Sequence, residues 1–308
     1  MYVALTLLGV ALIAVGLWDV FQTLFHPAGR GAMSDQTANA VWKFFRFIAK
    51  RYKRALTYAG PTATLAIMMS WVALIWIGFA LIYLPRMGTG FIYGQGVDQS
   101  KHGGLIGGLV VSLGGLMTNS EGVEAKEPWL ELTRGIEAVL GFGLLTASVS
   151  WLLSVYPVLE MRRSIAMRAT LLHHAELSND IDIVREAPQE AQSWIFSLGC
   201  DLASLRNQMT QFPITYYFYV GEPNTSLAGA LPYVDELARR AATKSSSPAL
   251  HVAGTILGGA VHDFLETLAE EFLHIGKSDK QNILRAYASE QMADMLFLER
   301  TVTYPRKT

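Results

Sequence analysis

The chain has 308 residues, of which 51% are hydrophobic and only 17% charged, with a formal net charge of -1 and a positive mean hydropathy. That is more apolar than an ordinary soluble domain, and the near-neutral balance gives no footing for nucleic-acid binding. A single cysteine, Cys200, excludes an intramolecular disulfide and reads as a reduced thiol packed in a helix face.

Three stretches are long and apolar enough for a hydrocarbon core, which takes roughly 20 residues of helix: Val3 to Phe25, Thr62 to Leu84, and Leu130 to Leu159. The first lacks a basic leading region and a small-residue cleavage site, so it is expected to be a true span rather than a secretory signal. Asp19 lies inside it, and a carboxylate there costs about 2.5 to 3.5 kcal/mol on insertion scales. Water or the basic segment that follows is expected to satisfy it, with His26 on the same helix side.

Lys43, Arg46, Lys50, Arg51, Lys53 and Arg54 interleave with Trp42, Phe44, Phe45, Phe47, Ile48 and Tyr52. Such a segment suits the headgroup region, and the positive-inside rule places it on the cytoplasmic side. Arg162, Arg163 and Arg168 after the third span agree. The amino terminus is therefore expected outside and the carboxyl-terminal part in the cytoplasm.

Between the second and third spans, Arg86 to Gly103 is polar and rich in glycine, whereas Leu105 to Met117 is almost uncharged and apolar. Thirteen apolar residues are too few to cross. Hydropathy leaves two readings open: a re-entrant helix, or an outer loop with a surface-lying hydrophobic helix. On the third span, Arg134 and Glu137 are three residues apart and are expected to pair along one face, anchoring this loop. Gly141 and Gly143 offer a gating hinge or a close packing contact.

After Ser164 the pattern is helical, in the stretches Ala187 to Met209, Tyr233 to Ala242, Leu250 to His274 and Asp279 to Arg300, punctuated by Pro188, Pro213, Pro232 and Ser245 to Pro248. Tyr216 to Val220 is a candidate strand or a buried extended connection. His173 and His174 precede Asp180 and Asp182, while His262, Asp263, Glu266, Glu270 and His274 recur at helical spacing. These read as solvated charged faces, without a metal or catalytic constellation. No glycine-rich phosphate loop follows a strand in this region.

The order of span, outer loop, short apolar helix ending in Thr118, polar loop, then Glu127, Pro128, Trp129 and a glycine-bearing span resembles the pore module of potassium channels. Ser112, Leu113 and Thr118 fall at the end of the pore helix and the start of the filter, and Gly122 falls on its last glycine. The resemblance covers Thr62 to Ser164, about a third of the chain. It implies an all-α membrane protein and a homotetramer in a bacterial inner membrane. Together with the runs read above, which lie outside the resemblance, the expected parts are an extra amino-terminal span (1–27), a basic amphipathic linker helix (28–60), a pore module (61–164) and a helical cytoplasmic domain (165–308). Within the pore module lie an outer helix (62–84), a re-entrant pore helix (105–117), a filter (118–122) and an inner helix (130–159).

The filter departs from the family's pattern, reading Thr118, Asn119, Ser120, Glu121 and Gly122. Filter glycines permit backbone angles that turn carbonyls toward the ion, and Ser120 stands in place of one of them. Glu121 replaces an aromatic and, repeated fourfold, would form an acidic ring that favours monovalent or divalent cations over anions. The expected function is a cation channel without an enzymatic centre, with no cofactor beyond the permeant ions. The alternative is a non-conducting sensor or scaffold that keeps the channel fold. A cytoplasmic ligand or protein regulator is left open.

Overall fold

The computed structural model describes residues 2–26, 29–94, 104–118, 122–244, 247–276 and 278–291. The chain divides into two compact units, 1–44 with 61–154, and 45–60 with 155–308. Each is taken by itself.

In the first unit, α1 (Tyr2–Leu24) is apolar on nearly every position and buries Gly9, Gly16, Asp19, Val20 and Thr23. This face meets α3 (Ala59–Tyr83). A Cβ built on Gly9 would stand 2.4 Å from the Gly78 carbonyl, and one on Gly16 would touch Leu74. Small residues at a seven-residue spacing let the two backbones approach, the usual device where lipid offers no hydrophobic drive. Val3, Leu7, Val10, Val15, Trp18 and Phe21 of α1 are exposed.

Asp19 is satisfied differently from the sequence expectation. It is buried and turns to the start of α2 (Ala32–Ala49), where it accepts from the Met33 amide at 2.8 Å, the Ser34 amide at 3.4 Å and the Ser34 hydroxyl. The Trp71 indole of α3 donates to it at 2.8 Å. A carboxylate at a helix amino terminus meets the positive end of the helix dipole and fills donors that have no partner inside the helix. The basic residues 43–54 play no part, because the donors lie at the other end of α2.

Two short strands, β1 (Phe91–Tyr93) and β2 (Val123–Ala125), pair antiparallel with Phe91 opposite Ala125. Neither is foreseen above, since three residues are too short for an alternation signal. Between them lies α4 (Gly104–Leu116). The third long helix, α5 (Pro128–Asn179), runs through Pro157 for 52 residues, well past the expected end of the inner helix at Leu159. α1, the helical run Lys53–Arg86 and α5 are each long and apolar enough to cross a membrane.

In the second unit, α6 (Ile183–Glu186), α7 (Pro188–Gln211), α8 (Leu227–Lys244), α9 (Pro248–Thr267) and α10 (Lys280–Glu290) form a helical bundle with the carboxyl-terminal part of α5. α9 lies against both α7 and α8, at Gly199 and Gly254. The bundle is pinned by Glu176, which accepts from Arg240 at 2.8 and 2.9 Å and from the Tyr233 hydroxyl at 3.0 Å. Burial, and then the charge of Glu176, pushes the Tyr233 hydroxyl above its ordinary range.

Several expectations are corrected here. Pro232 lies inside α8 rather than before it. Tyr216 to Val220 forms no strand: Pro213–Tyr217 is a 3-10 turn, followed by extended chain. Cys200 is exposed. The end of the expected Asp279 to Arg300 helix lies outside the described residues. The linker is helical only to Ala49, followed by a 3-10 turn at Lys53–Tyr58. Its second half packs on the carboxyl-terminal bundle, with Arg46 paired to Glu290 and Gly60 against the Phe218 ring. His173 is buried with its ring 4.7 Å from that of Tyr233, whereas His262, Asp263 and Glu266 form an exposed cluster.

Replacing Asp19 strands four buried or half-buried donors, at about 1 to 3 kcal/mol for each one left unmade. Asp19→Ala is expected to lower the unfolding temperature in detergent by many degrees. Gly31→Ala is expected to do the same, because its Cβ would stand 2.4 Å from Thr23 Oγ1 and 2.5 Å from Asp19 Oδ1. Thermal melts equal to wild type for both variants would remove this junction from the stability argument.

Candidate functional site

The site is built around α4. Its sequence is rich in glycine, with Gly107, Gly108, Gly114 and Gly115 buried along with Val111 and Ser112. These bare positions set its seat. A Cβ on Gly108 would stand 2.8 Å from the Ala80 carbonyl of α3, and one on Gly115 would stand 2.3 Å from Glu137 Oε2 of α5. Glycine is costly inside a helix, so its density here is explained by the close approach of two neighbours.

Polar contacts fix the register. The Trp76 indole donates to the Leu109 carbonyl at 2.8 Å, and Ser112 Oγ lies 2.9 Å from the Trp76 carbonyl. Ser112 also bonds Glu137, and the Tyr83 hydroxyl donates to the other Glu137 oxygen at 2.7 Å. Glu137 and Ser112 are completely buried. One carboxyl thus ties α3, α4 and α5 together.

The hydrogens of this cluster can be counted. Ser112 has one hydroxyl hydrogen and two oxygen neighbours, the Trp76 carbonyl and Glu137 Oε1. A carbonyl only accepts. All contacts are hydrogen bonds at once when Ser112 donates to Trp76 and the carboxyl supplies a hydrogen to Ser112.

Arg134 and Glu137 do not pair with each other as the sequence suggested. Arg134 donates instead to the Val123 carbonyl at 2.6 Å, at the start of β2. Three residues apart, the two side chains diverge to different layers, Glu137 to the helix α4 and Arg134 to the chain that follows it. Arg86 and Glu127 add an ion pair at 3.8 Å, and the Arg86 guanidinium stands over the Trp129 ring.

The path between α4 and β2 is short. Leu116 ends α4 against Gly141, where a Cβ would stand 2.7 Å from the Leu116 carbonyl. Gly141 lies about 20 Å along α5 from Pro128 at 1.5 Å per residue. The chain then turns at Thr118, whose φ is 55°. It is back beside β1 at Gly122, whose φ is 71° and whose carbonyl accepts from the Gly94 amide at 2.7 Å. Thr118 and Gly122 thus bracket the expected filter, while Asn119, Ser120 and Glu121 lie outside the described residues.

Gly141 and Gly143 separate in role. Gly141 is a packing position under Leu116, whereas a Cβ on Gly143 would meet nothing within 4 Å. Gly143 begins a strip of small and hydroxyl residues along α5: Gly143, Thr146, Ser150 and Ser154, all exposed. At 100° per residue a second exposed strip, Phe142, Leu145, Val149 and Leu153, runs about a quarter turn away and is wholly apolar. The hydroxyl strip is legible at three and four spacing in the sequence but is not singled out there, because serine and threonine are common in membrane helices.

Among curated proteins, the chain is similar to the Uncharacterized membrane protein YdjJ of Bacillus subtilis (strain 168), 25% identical over 236 residues, covering 74% of this chain and 67% of that protein. The chain is an all-α membrane protein in class. No protein-family model matches it, and no solved structure is similar to it.

The hydrogen count gives a directional test. Glu137→Gln, whose amide also supplies a hydrogen to Ser112 and an acceptor to Tyr83, is expected to keep the wild-type melting temperature within a few degrees. Glu137→Ala leaves Ser112 and Tyr83 unpaired and is expected to cost about 2 to 5 kcal/mol. Thermal unfolding of both variants in one detergent measures this, and equal loss in the two would refute the count.

Proposed function

We propose that this chain is a potassium-channel-like cation channel, assembled as a tetramer in a bacterial inner membrane with its amino terminus outside and the helical bundle in the cytoplasm. The observation that carries the reading is the seat of α4. A helix lying on the membrane surface would meet only the ends of the spans, whereas Ser112 reaches Trp76 and Leu116 reaches Gly141. The chain then returns within the few residues from Thr118 to Gly122, the descent and ascent that a re-entrant pore loop requires.

In this reading Thr118, Asn119, Ser120, Glu121 and Gly122 form the constriction, with Glu121 of four chains as an acidic ring that selects cations. Arg134 and Glu137 hold the loop from behind. The hydroxyl strip of α5 from Gly143 to Ser154 faces the aqueous cavity, and the apolar strip beside it meets lipid or a neighbouring chain. Gly143, with open space about it, is the better placed of the two glycines for a bend. The resemblance gives the potassium-channel comparison, while Ser120 and Glu121 leave the preferred cation open.

A second reading rests on the same departure at Ser120 and Glu121: a sensor or scaffold that keeps the fold without conducting. Flux through purified protein in liposomes separates the two, comparing potassium, sodium and calcium gradients with an anion control. A channel is expected to pass cations, and Glu121→Gln is expected to reduce its preference for cations over anions. Intact tetramers that give no flux above empty liposomes would favour the sensor.

The two strips of α5 offer an independent test. In a Cys200→Ser background, Ser150→Cys is expected to react quickly with a charged, membrane-impermeant thiol reagent, with loss of flux. Leu145→Cys is expected to react at least tenfold more slowly. Equal rates would mean that the hydroxyl strip does not face water.

A further inference from the structure

The segment 45–60 of the second unit has two sides of different character. Ala49, Leu56, Ala59 and Gly60 are buried, and Arg46 is paired to Glu290, so one side is fixed on the helical bundle. The other side exposes four cations, Lys50, Arg51, Lys53 and Arg54. It also exposes three aromatic rings, Phe47 at 74%, Tyr52 at 66% and Tyr58 at 65%.

The cations are concentrated where the chain turns. α2 ends at Ala49, Tyr52 is out of helical geometry with φ of -136° and ψ of 87°, and the 3-10 helix begins at Lys53. Four positive charges therefore crowd one bend, in a chain whose formal net charge is -1. The sequence has no acidic residue between Asp35 and Asp98, and among the described residues none of the four is paired with a carboxylate. The Arg51 guanidinium instead stands over the Tyr52 ring, 5.9 Å from its centre. Like charges held this close repel one another and are relieved by an anionic surface.

The aromatic rings say what kind of surface. Contact with water alone would favour the cations but not three large exposed rings beside them. An interface that is charged outside and apolar inside takes both, with tyrosine at the headgroup level and cations on the phosphates.

The chain length agrees. The helical run Lys53–Arg86 has 34 residues and carries no charge between Arg54 and Arg86. At 1.5 Å per residue it is about 50 Å long. A bilayer with its headgroup regions is about 40 to 45 Å thick, which such a run spans within the ordinary range of tilt. The cations at the head of this run therefore come to the level of the lipid phosphates.

We propose that Lys50, Arg51, Lys53 and Arg54 form a docking surface for anionic phospholipid, with Phe47, Tyr52 and Tyr58 set among the headgroups and upper acyl chains. The partner is a lipid of net negative charge, because the cations gain little from a zwitterionic headgroup whose own ammonium opposes them. The inference needs only that the chain is a membrane protein and does not rest on the pore reading.

The test is retention of radiolabelled phosphatidylglycerol or phosphatidylcholine by the purified full chain in neutral detergent, titrated to half-saturation. Phosphatidylglycerol is expected to saturate at a concentration at least tenfold lower, and 0.5 M potassium chloride is expected to erase the difference. Each cation near an anionic surface strengthens association about fivefold. Arg51→Gln with Arg54→Gln is therefore expected to weaken phosphatidylglycerol binding at least tenfold, with phosphatidylcholine and the melting temperature unchanged, since both side chains are exposed. Arg185→Gln with Arg239→Gln removes the same charge from exposed positions elsewhere in the unit and is expected to leave both lipids unaffected. Equal affinity for the two lipids, or a preference that survives in the Arg51 and Arg54 double variant, overturns the proposal. So does competition by soluble glycerol phosphate, which would make the ligand a free anion. A smaller oligomer in the double variant, with lipid binding unchanged, would give the surface to a second copy of the chain instead.

Discussion

The buried carboxyl of Glu137 is the constraint on which the first unit depends. A 13-residue helix cannot cross a bilayer, and its ends carry backbone groups that hydrocarbon cannot satisfy. α4 is held among the spans because Glu137 bonds Ser112 from α5, Tyr83 bonds Glu137 from α3, and Trp76 bonds Leu109. The glycines of α4 allow the approach that those bonds demand, and the bonds give the glycines a reason to be there. Removing either set undoes the other, so packing and hydrogen bonding form one device at this point.

Much of this was legible in the sequence because membranes impose simple rules. Three apolar runs gave the spans, and the bounds of α4 differ from the expected 105–117 by one residue at each end. What the sequence hid was partner choice. Arg134 and Glu137 satisfy the spacing for a helical ion pair, yet residues on other segments offer better-placed acceptors and donors, and the helix surface pairing yields to them. Asp19 is expected from the sequence to be satisfied by water or by the basic 43–54 segment, because it lies near the cytoplasmic end of its span. The chain uses uncharged donors at the opposite end of α2, which a dipole argument permits but no residue pattern announces. Strands of three residues and proline within a helix, as at Pro232, fall below what periodicity detects.

The linker shows how one composition supports two uses. Its aromatic and basic residues fit a headgroup setting, and Phe44 and Phe47 are indeed exposed. Yet Arg46 is engaged by Glu290, and Leu56 is fully buried. The segment 45–60 therefore belongs with the carboxyl-terminal bundle in its contacts, although it leads directly into α3 along the chain. The bundle is continuous along the chain with two of the long apolar helices, through this linker into α3 and through the unbroken α5.

Besides His173, the buried acidic or basic side chains among the described residues are Asp19, Glu137, Glu176 and Arg162, and these four divide by how each is compensated. Asp19 meets a helix amino terminus and an indole. Glu137 is completed by a hydrogen of its own. Glu176 faces Arg240 in a pair with two short contacts. Arg162 differs from all three: its partners are carbonyls. Each of the four is satisfied by hydrogen bonds within the chain, and the device follows from what the neighbouring segment presents: a helix amino terminus, a hydroxyl, a guanidinium or a pair of carbonyls.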